Sequence, residues 1–245
     1  MKVKANALLE GCNISASQGA YGIAVIPGDD GWAIWSRSGS QVSITQVKLP
    51  ATAFPDGYVK GEEGFAVKQS FFPDALIPGT EPDITVAGGK LTVVTDKRKQ
   101  TSRLEGGDPN EYVRNMPSYV PEATMAVASD DLTKFFKQKQ IKDFKNVNGV
   151  KLTLTEEGLK AEVADETTSF EDFLPSDAVV VPEGGVHARF NVDMLIPMIT
   201  CMPKGALVTL GFSMNAPIEL IIATENVEAR VLLAPLIVEE DEMDG

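Results

Sequence analysis

The stretch Val42-Ser-Ile-Thr-Gln-Val-Lys-Leu49 alternates apolar and polar residues with a period of two, as do Lys151-Leu-Thr-Leu-Thr155 and Leu159-Lys-Ala-Glu-Val163. That period places successive side chains on opposite faces of a strand, so each stretch predicts a half-buried β-strand. Turn formers bound the strands at Gly28-Asp-Asp-Gly31, Pro55-Asp-Gly57, Gly88-Gly89 and Glu156-Glu-Gly158. Most of the chain reads as β. Helical patterns are short and few: Ala5 to about Cys12, Ser129 to about Lys145, and one each after Val67 and Asn191. Ser129 or Asp130 supplies an N-cap for the second and longest. Pro73 and Pro197 fall near the starts of the last two, where proline is best tolerated. On the Ser129 helix, Leu132, Phe135 and Phe136 share an arc of about 100°, which reads as the core face. Lys134, Lys137, Gln138, Lys142 and Lys145 share a separate arc of about 140°. Lys139 and Ile141 fit neither arc, so the pattern allows a bend or an end near Gln140.

The two halves of the chain echo each other. Phe65-Ala-Val-Lys-Gln-Ser-Phe-Phe-Pro73 leads into Asp83-Ile-Thr-Val, Gly88-Gly89 and Leu91-Thr-Val-Val. Phe190-Asn-Val-Asp-Met-Leu-Ile-Pro197 leads into Ala206-Leu-Val-Thr-Leu, Asn215-Ala-Pro217 and Ile218-Glu-Leu-Ile-Ile. Each reads as a strand end, a short helix and a hairpin. The offset between Phe65 and Phe190 is 125, and Asp30-Gly31-Trp-Ala-Ile echoes Glu157-Gly158-Leu-Lys-Ala at an offset of 127. Two copies of one fold account for this pattern; so does chance likeness between two α+β halves. Between them, Leu104 to Pro121 is rich in Gly, Pro and turn formers and reads as a linker. It also carries Leu104, Tyr112, Val113, Met116 and Tyr119, which a merely solvated linker does not need. These residues either dock onto the chain's own sheet or stay partly exposed for a partner.

Composition narrows the function. The 245 residues suffice for one large domain or two of about 120. With 43% hydrophobic and 23% charged residues the chain is globular in character. No apolar run approaches the ~20 residues that span a bilayer, and Met1-Lys-Val-Lys4 lacks the features of a signal peptide. A cytoplasmic, nucleoid-associated location is expected, or a nuclear one in a eukaryote, with no membrane partner. Cys12 and Cys201 fit a reducing compartment and favour two buried thiols over a disulfide. The net charge of −13 disfavours an open surface that grips phosphates. An acidic protein can still hold DNA if its cations are gathered on one surface. Lys134, Lys137, Lys139, Lys142 and Lys145 are the densest positive charge, and read either as a solvated face or as a phosphate-facing one. Mobile ammonium groups suit the second role because they follow a phosphate backbone without reading bases. His187 is the sole histidine and reads as a strand or surface residue rather than a catalyst. No zinc spacing, Walker loop or dinucleotide fingerprint is present, so no cofactor, metal or catalytic activity is expected. Glu239-Glu-Asp-Glu242 reads as solvated acidic tail.

Four segments resemble a known family. Leu232-Leu-Ala-Pro235, followed by Ile237 and acidic residues, resembles the Leu-Ala-Pro-x-Ile-Glu ending of the DNA sliding clamps of the proliferating cell nuclear antigen (PCNA) family. Asp30-Gly31 through Ser40-Gln-Val-Ser-Ile-Thr-Gln-Val47 resembles the strand, turn and strand of that family's first domain. Asp108-Pro-Asn-Glu-Tyr112 and Met116-Pro117 resemble its interdomain connecting loop, and Asn215-Ala-Pro217 stands at the place of a late hairpin. The match runs through nearly the whole chain in order, with the same duplication.

The resemblance implies an α+β chain of two tandem clamp domains, residues 1–103 and 122–245, joined by a connecting loop at 104–121. Sheets form the outside of a ring and helices line its pore. Three copies close head to tail, and edge strands pair between them. Such a ring is a non-enzymatic DNA polymerase processivity factor. It encircles double-stranded DNA, is opened by a clamp loader, and tethers replication and repair enzymes through clamp-binding peptides. By position, the DNA-facing residues are Lys134, Lys137, Lys142, Lys145 and Lys204. The partner pocket comprises Gln41, Ile44, Met116, Tyr119, Pro217, Leu232, Leu233, Ala234 and Pro235. The departures mark a divergent clamp of archaeal or viral type. Ala5 to Cys12 looks shortened and holds Glu10 but no base; the helix after Val67 has only Lys68 at its start; the one after Asn191 begins with Asp193. Arg37 falls where eukaryotic clamps carry an apolar residue. A clamp-like factor acting as a monomer or in a heteromeric ring, and an unrelated β-rich binding module, remain alternative readings.

Overall fold

A computed structural model describes residues 1–17, 19, 22–40, 42–61, 63–106, 108–111, 113, 117–138, 149–164 and 169–237. The chain forms two compact units: Met1–Pro117 with Ala223–Arg230, and Ser118–Ile222 with Val231–Gly245.

In the first unit, helix α1 (Ala5–Ala16) buries Leu8, Gly11, Cys12, Ile14 and Ser15. It packs against β2 (Gly31–Arg37) and β3 (Ser43–Pro50). A Cβ on Gly11 would stand 3.3 Å from both Ile34 Cδ1 and Val47 Cγ1, so a small residue sets the close approach. The helix runs past the expected end at Cys12 because Ile14 and Ser15 continue its buried face. It closes where the Ser17 hydroxyl donates to the Ile14 carbonyl at 2.7 Å. At 12 residues it is the longest described helix. With β1 (Gly22–Gly28) and β4 (Phe65–Lys68) the strands form a sheet segment in the order β3-β2-β1-β4. On β3 burial alternates, but the apolar pattern predicts it only at Val47 and Leu49: polar Ser43 and Thr45 are buried with them, while Val42 is exposed and Ile44 half-buried. The five-residue α2 (Phe71–Ala75) drives Phe71 and Phe72 into the core, with Pro73 in its first turn as expected. A three-stranded sheet follows in chain order: β5 (Asp83–Ala87), β6 (Lys90–Val94) and β7 (Lys99–Arg103).

The second unit repeats this plan. It comprises β8 (Ala123–Ala128), α3 (Ser129–Phe136), β9 (Val150–Thr155), β10 (Gly158–Ala164) and β11 (Ser169–Pro175). Then come β12 (Val179–Val180), β13 (Val186–Phe190), α4 (Val192–Thr200), β14 (Leu207–Phe212) and β15 (Ile218–Ala223). Strand β16 (Glu228–Leu233) completes the chain's last hairpin. The order β11-β10-β9-β13 matches β3-β2-β1-β4 strand for strand. Gly31 pairs with Pro50 and Gly158 with Pro175. Both glycines have strongly positive φ, 133° and 142°, and a Cβ there would lie 2.0 Å from the Leu49 carbonyl oxygen and 2.2 Å from that of Leu174. The offset of 127 in the sequence is therefore a true structural equivalence. The offset of 125 is not: Phe190 pairs with Val150, as Val67 pairs with Ile23, so Phe190 corresponds to Val67 rather than Phe65.

Two helix expectations are corrected. Helix α3 ends at Phe136 with Lys137 as its cap, once Leu132, Phe135 and Phe136 have filled the core-facing positions. Lys142 and Lys145 lie outside the described residues. Pro197 sits in the interior of α4 rather than near its start.

Candidate DNA-facing and partner-binding surfaces

The described helices carry little positive charge. Helix α1 holds Glu10, α2 Asp74 and α4 Asp193, with no Lys or Arg in any of the three. Glu10 is already engaged. Its two carboxylate oxygens accept from Thr224 Oγ1 at 2.5 Å and Asn226 Nδ2 at 3.0 Å. Both partners lie in Ala223–Arg230, the hairpin tip that belongs to the first unit.

Helix α3 is different. Lys134 and Lys137 are exposed at its C-terminal end, where cations complement the unsatisfied carbonyls. At its other end, Asp130 accepts the Gly205 N–H at 3.1 Å, and the Ser129 hydroxyl donates to the Pro203 carbonyl at 2.6 Å. These bonds fasten the turn that carries exposed Lys204 to the start of α3. None of the three lysines makes an ion pair among the described residues. They are the cations that this helix and its attached turn offer to an anionic ligand, beside Asp130 and Asp131.

The residues of the expected partner pocket fall into three groups. Gln41 and Met116 lie outside the described residues. Ile44 in the first unit, and Pro217, Ala234 and Pro235 in the second, are half-buried and present part of their apolar surface. Arg37 pairs with Ile44 across β2 and β3, so a guanidinium borders Ile44. Leu232 and Leu233 are only 4% and 1% exposed and belong to the core. Tyr119 is half-buried and its hydroxyl is committed: it accepts the Ser213 N–H at 2.8 Å and donates to Ser213 Oγ at 3.3 Å. The Glu122 N–H also donates to Ser213 Oγ, at 3.0 Å. Tyr119 thus pins the linker's end to the end of β14, the docking alternative left open by the sequence.

Sequence reasoning missed a repeated clasp. The Glu105 N–H donates to the Ala66 carbonyl at 2.9 Å, and the Leu236 N–H donates to the Arg189 carbonyl at 2.7 Å. Ala66 and Arg189 are equivalent by register, so in each half the segment after the last strand returns to the same edge position. In the second half this holds the Leu-Ala-Pro segment in place and leaves Ile237 91% exposed beyond it. No disulfide joins Cys12 and Cys201; burial pushes the Cys12 thiol well above the usual range, so it stays protonated. No cluster of three potential metal ligands occurs among the described residues.

The fold has solved counterparts along its whole length. A structure of A. fulgidus PCNA bound to the C-terminal region of FEN-1 matches with a TM-score of 0.79, over 98% of this chain and 99% of that one, at 17% identity. The chain has the PCNA clamp fold. The clamps of Entamoeba histolytica and Thermococcus kodakaraensis match with TM-scores of 0.78, at 17% and 16% identity. Each covers 96% of this chain, and 98% and 99% of its own length respectively. No protein-family model and no curated protein sequence matches the chain.

Proposed function

We propose that this chain is a sliding clamp, the subunit of a ring that encircles double-stranded DNA and tethers DNA polymerase and repair enzymes to it. The observation that carries this reading is the end-to-end match of a duplicated chain to the clamp fold. Its two clamp domains span residues 1–103 and 122–245, joined by the connecting loop 104–121. The chain catalyses nothing; it works by topological linkage, so its hold on DNA need only be weak. Lys134, Lys137 and Lys204, with Lys142 and Lys145, face the phosphates and are the basis of a sequence-independent hold. A clamp loader opens the ring. Client enzymes dock a short peptide; the C-terminal region of FEN-1 is bound to the A. fulgidus protein. The surface they meet is Ile44, Pro217, Ala234 and Pro235, with Gln41 and Met116. Tyr119, Leu232 and Leu233, which the resemblance also implies for this site, are half-buried or buried rather than exposed. The ring is a homotrimer that works in the cytoplasm, or in the nucleus of a eukaryotic source.

Light scattering coupled to size-exclusion chromatography tests the assembly. A homotrimer has three times the chain's 26.3 kDa, about 79 kDa. A mass of 26 kDa at every concentration and salt would leave a monomeric factor in its place.

A further inference from the structure

The sheet segment β3-β2-β1-β4 carries cations without acids. The charged residues of its strands are Arg37, Lys48 and Lys68, with no carboxylate, in a chain of net charge −13. Lys48 is matched by Glu228 at 3.7 Å. Arg37 is not matched: its half-buried guanidinium makes no ion pair and no side-chain hydrogen bond among the described residues. From Gly31 to Val47 it is the only charged residue. Strand register shows which face it occupies. Gly11 of α1 stands against Ile34 and Val47, so the helix covers the face that carries those residues. Arg37 directly opposes Ile44 and lies two residues beyond Trp35, which puts it on the other face. Beside it are half-buried Ile44 and Val42, which is 37% exposed. Lys68 shares this face, because Gly22 pairs with Lys68 as Ala24 pairs with Trp35. It lies two strands further from Ile44 than Arg37 does, on the order of 10 Å away.

We propose that Arg37 sets the specificity of the partner surface: it selects client peptides that carry a Glu or Asp beside the apolar side chain that covers Ile44. The inference rests on the clamp reading above and adds which peptides the site accepts. The apolar surface of Ile44 and Val42 contributes affinity but reads little of a peptide's sequence. The guanidinium does read it. A docked peptide strips water from a cation that is already half-buried, and an ion that loses water without gaining a partner is costly. Its planar fork matches a carboxylate with two parallel hydrogen bonds. An amide or alkyl side chain at that place strands the cation, and a basic one adds repulsion. The choice is therefore made by penalty as much as by attraction. Reach fixes where the acid must stand. Side chains directly opposed across two strands have Cβ atoms roughly 5 Å apart. An extended peptide advances about 3.3 Å per residue, so an acid one or two residues from the plug meets Arg37. The pair forms at the surface and weakens as salt shortens the Debye length from ~10 Å at 0.1 M to ~3 Å at 1 M.

Fluorescence anisotropy of the full chain with two synthetic peptides tests this. Both carry the same apolar plug, Leu-Phe-Phe; one has Glu on either side of it and the other Gln. At about 0.1 M NaCl the Glu peptide should bind about 10-fold more tightly, the order expected of one charge-assisted pair. At about 1 M NaCl the preference should shrink to within about 2-fold. Arg37→Met should abolish it by weakening the Glu peptide while leaving the Gln peptide bound, and Arg37→Lys should keep part of it. Lys68→Met, a charge loss on the same face but further from Ile44, should leave it in place. Circular dichroism checks each fold; should Arg37→Met fail to fold, the Glu–Gln comparison on the unaltered chain and its salt dependence still decide. Equal affinity of the unaltered chain for both peptides, or a preference that survives Arg37→Met, would overturn the role of Arg37 while leaving the peptide site intact. Displacement of the Glu peptide by duplex DNA at the same ionic strength would make phosphate the occupant and overturn it too. If neither peptide binds the folded chain, the partner surface falls and this inference falls with it.

Discussion

The two units share a backbone plan and differ in where they put charge. Each uses a positive-φ glycine, Gly31 or Gly158, against a carbonyl at the same place in its sheet, and each clasps its trailing segment to β4 or β13. Their helices do not match in this way. The acid of α1 is spent on the hairpin tip, and neither α1 nor α2 carries a cation, whereas α3 ends in Lys134 and Lys137. The difference teaches that backbone geometry fixes the clamp fold tightly while leaving surface charge free to move. Sheet closure tolerates no Cβ at those glycines; a solvated helix face tolerates almost anything.

The largest expected effect separates core from surface within the proposed partner site. Leu233→Asp should cost more than about 4 kcal/mol by burying a carboxylate, and should appear as loss of the cooperative urea transition. Ile44→Asp should keep the fold and weaken a polymerase-derived peptide at least about 10-fold in calorimetry, equivalent to about 1.4 kcal/mol. A folded Ile44→Asp variant with unchanged peptide affinity would move the partner site elsewhere. Next come the glycines. Gly31→Ala and Gly158→Ala should each lose about 3 kcal/mol, against about 1 kcal/mol for Gly88→Ala, whose φ is 57° with open space around it. If either buried position proved as tolerant as Gly88, the claimed equivalence of the two sheets would fail.

Glu10→Ala should then cost about 1–3 kcal/mol by stranding Thr224 and Asn226, whereas exposed Asp193→Ala at the start of α4 should cost about 0.3–1 kcal/mol. Equal small losses would show that the Glu10 network is only peripheral. Lys134→Ala with Lys137→Ala should lower the log–log salt slope of DNA retention by about 0.9 for each phosphate that is no longer neutralised. An unchanged slope in a folded double variant would remove α3 from the DNA-facing surface. The smallest effect is chemical: at pH 8 a thiol reagent should modify half-buried Cys201 well before Cys12, whose burial holds it protonated.

Much of the fold was legible where a side-chain period meets a one-sided core. The alternation of β9 and β10, and the Gly31–Gly158 echo, passed directly into structure, whereas on β3 only Val47 and Leu49 did. The Phe65–Phe190 echo did not, because strand register is set by pairing and like residues need not share a register. The end of α1 was misplaced because Gly11, Asn13 and Ser15 are weak helix formers whose positions tertiary burial decides. The clasps at Glu105 and Leu236 have no sequence signature, since only backbone atoms make them. Of the site, α3 was visible through Leu132, Phe135 and Phe136. The burial of both Leu232 and Leu233 was not, because consecutive buried residues require a strand covered on both faces.

The central claim is topological, and retention on DNA tests it most directly. The protein would be loaded onto a nicked circular duplex with a clamp loader, washed at moderate salt, and followed after the circle is cut at one site. A sliding ring stays on the closed circle and runs off the linear ends, so the retained fraction should fall to background after cutting. Retention that is the same on circular and linear DNA, or absent from both, would contradict the account.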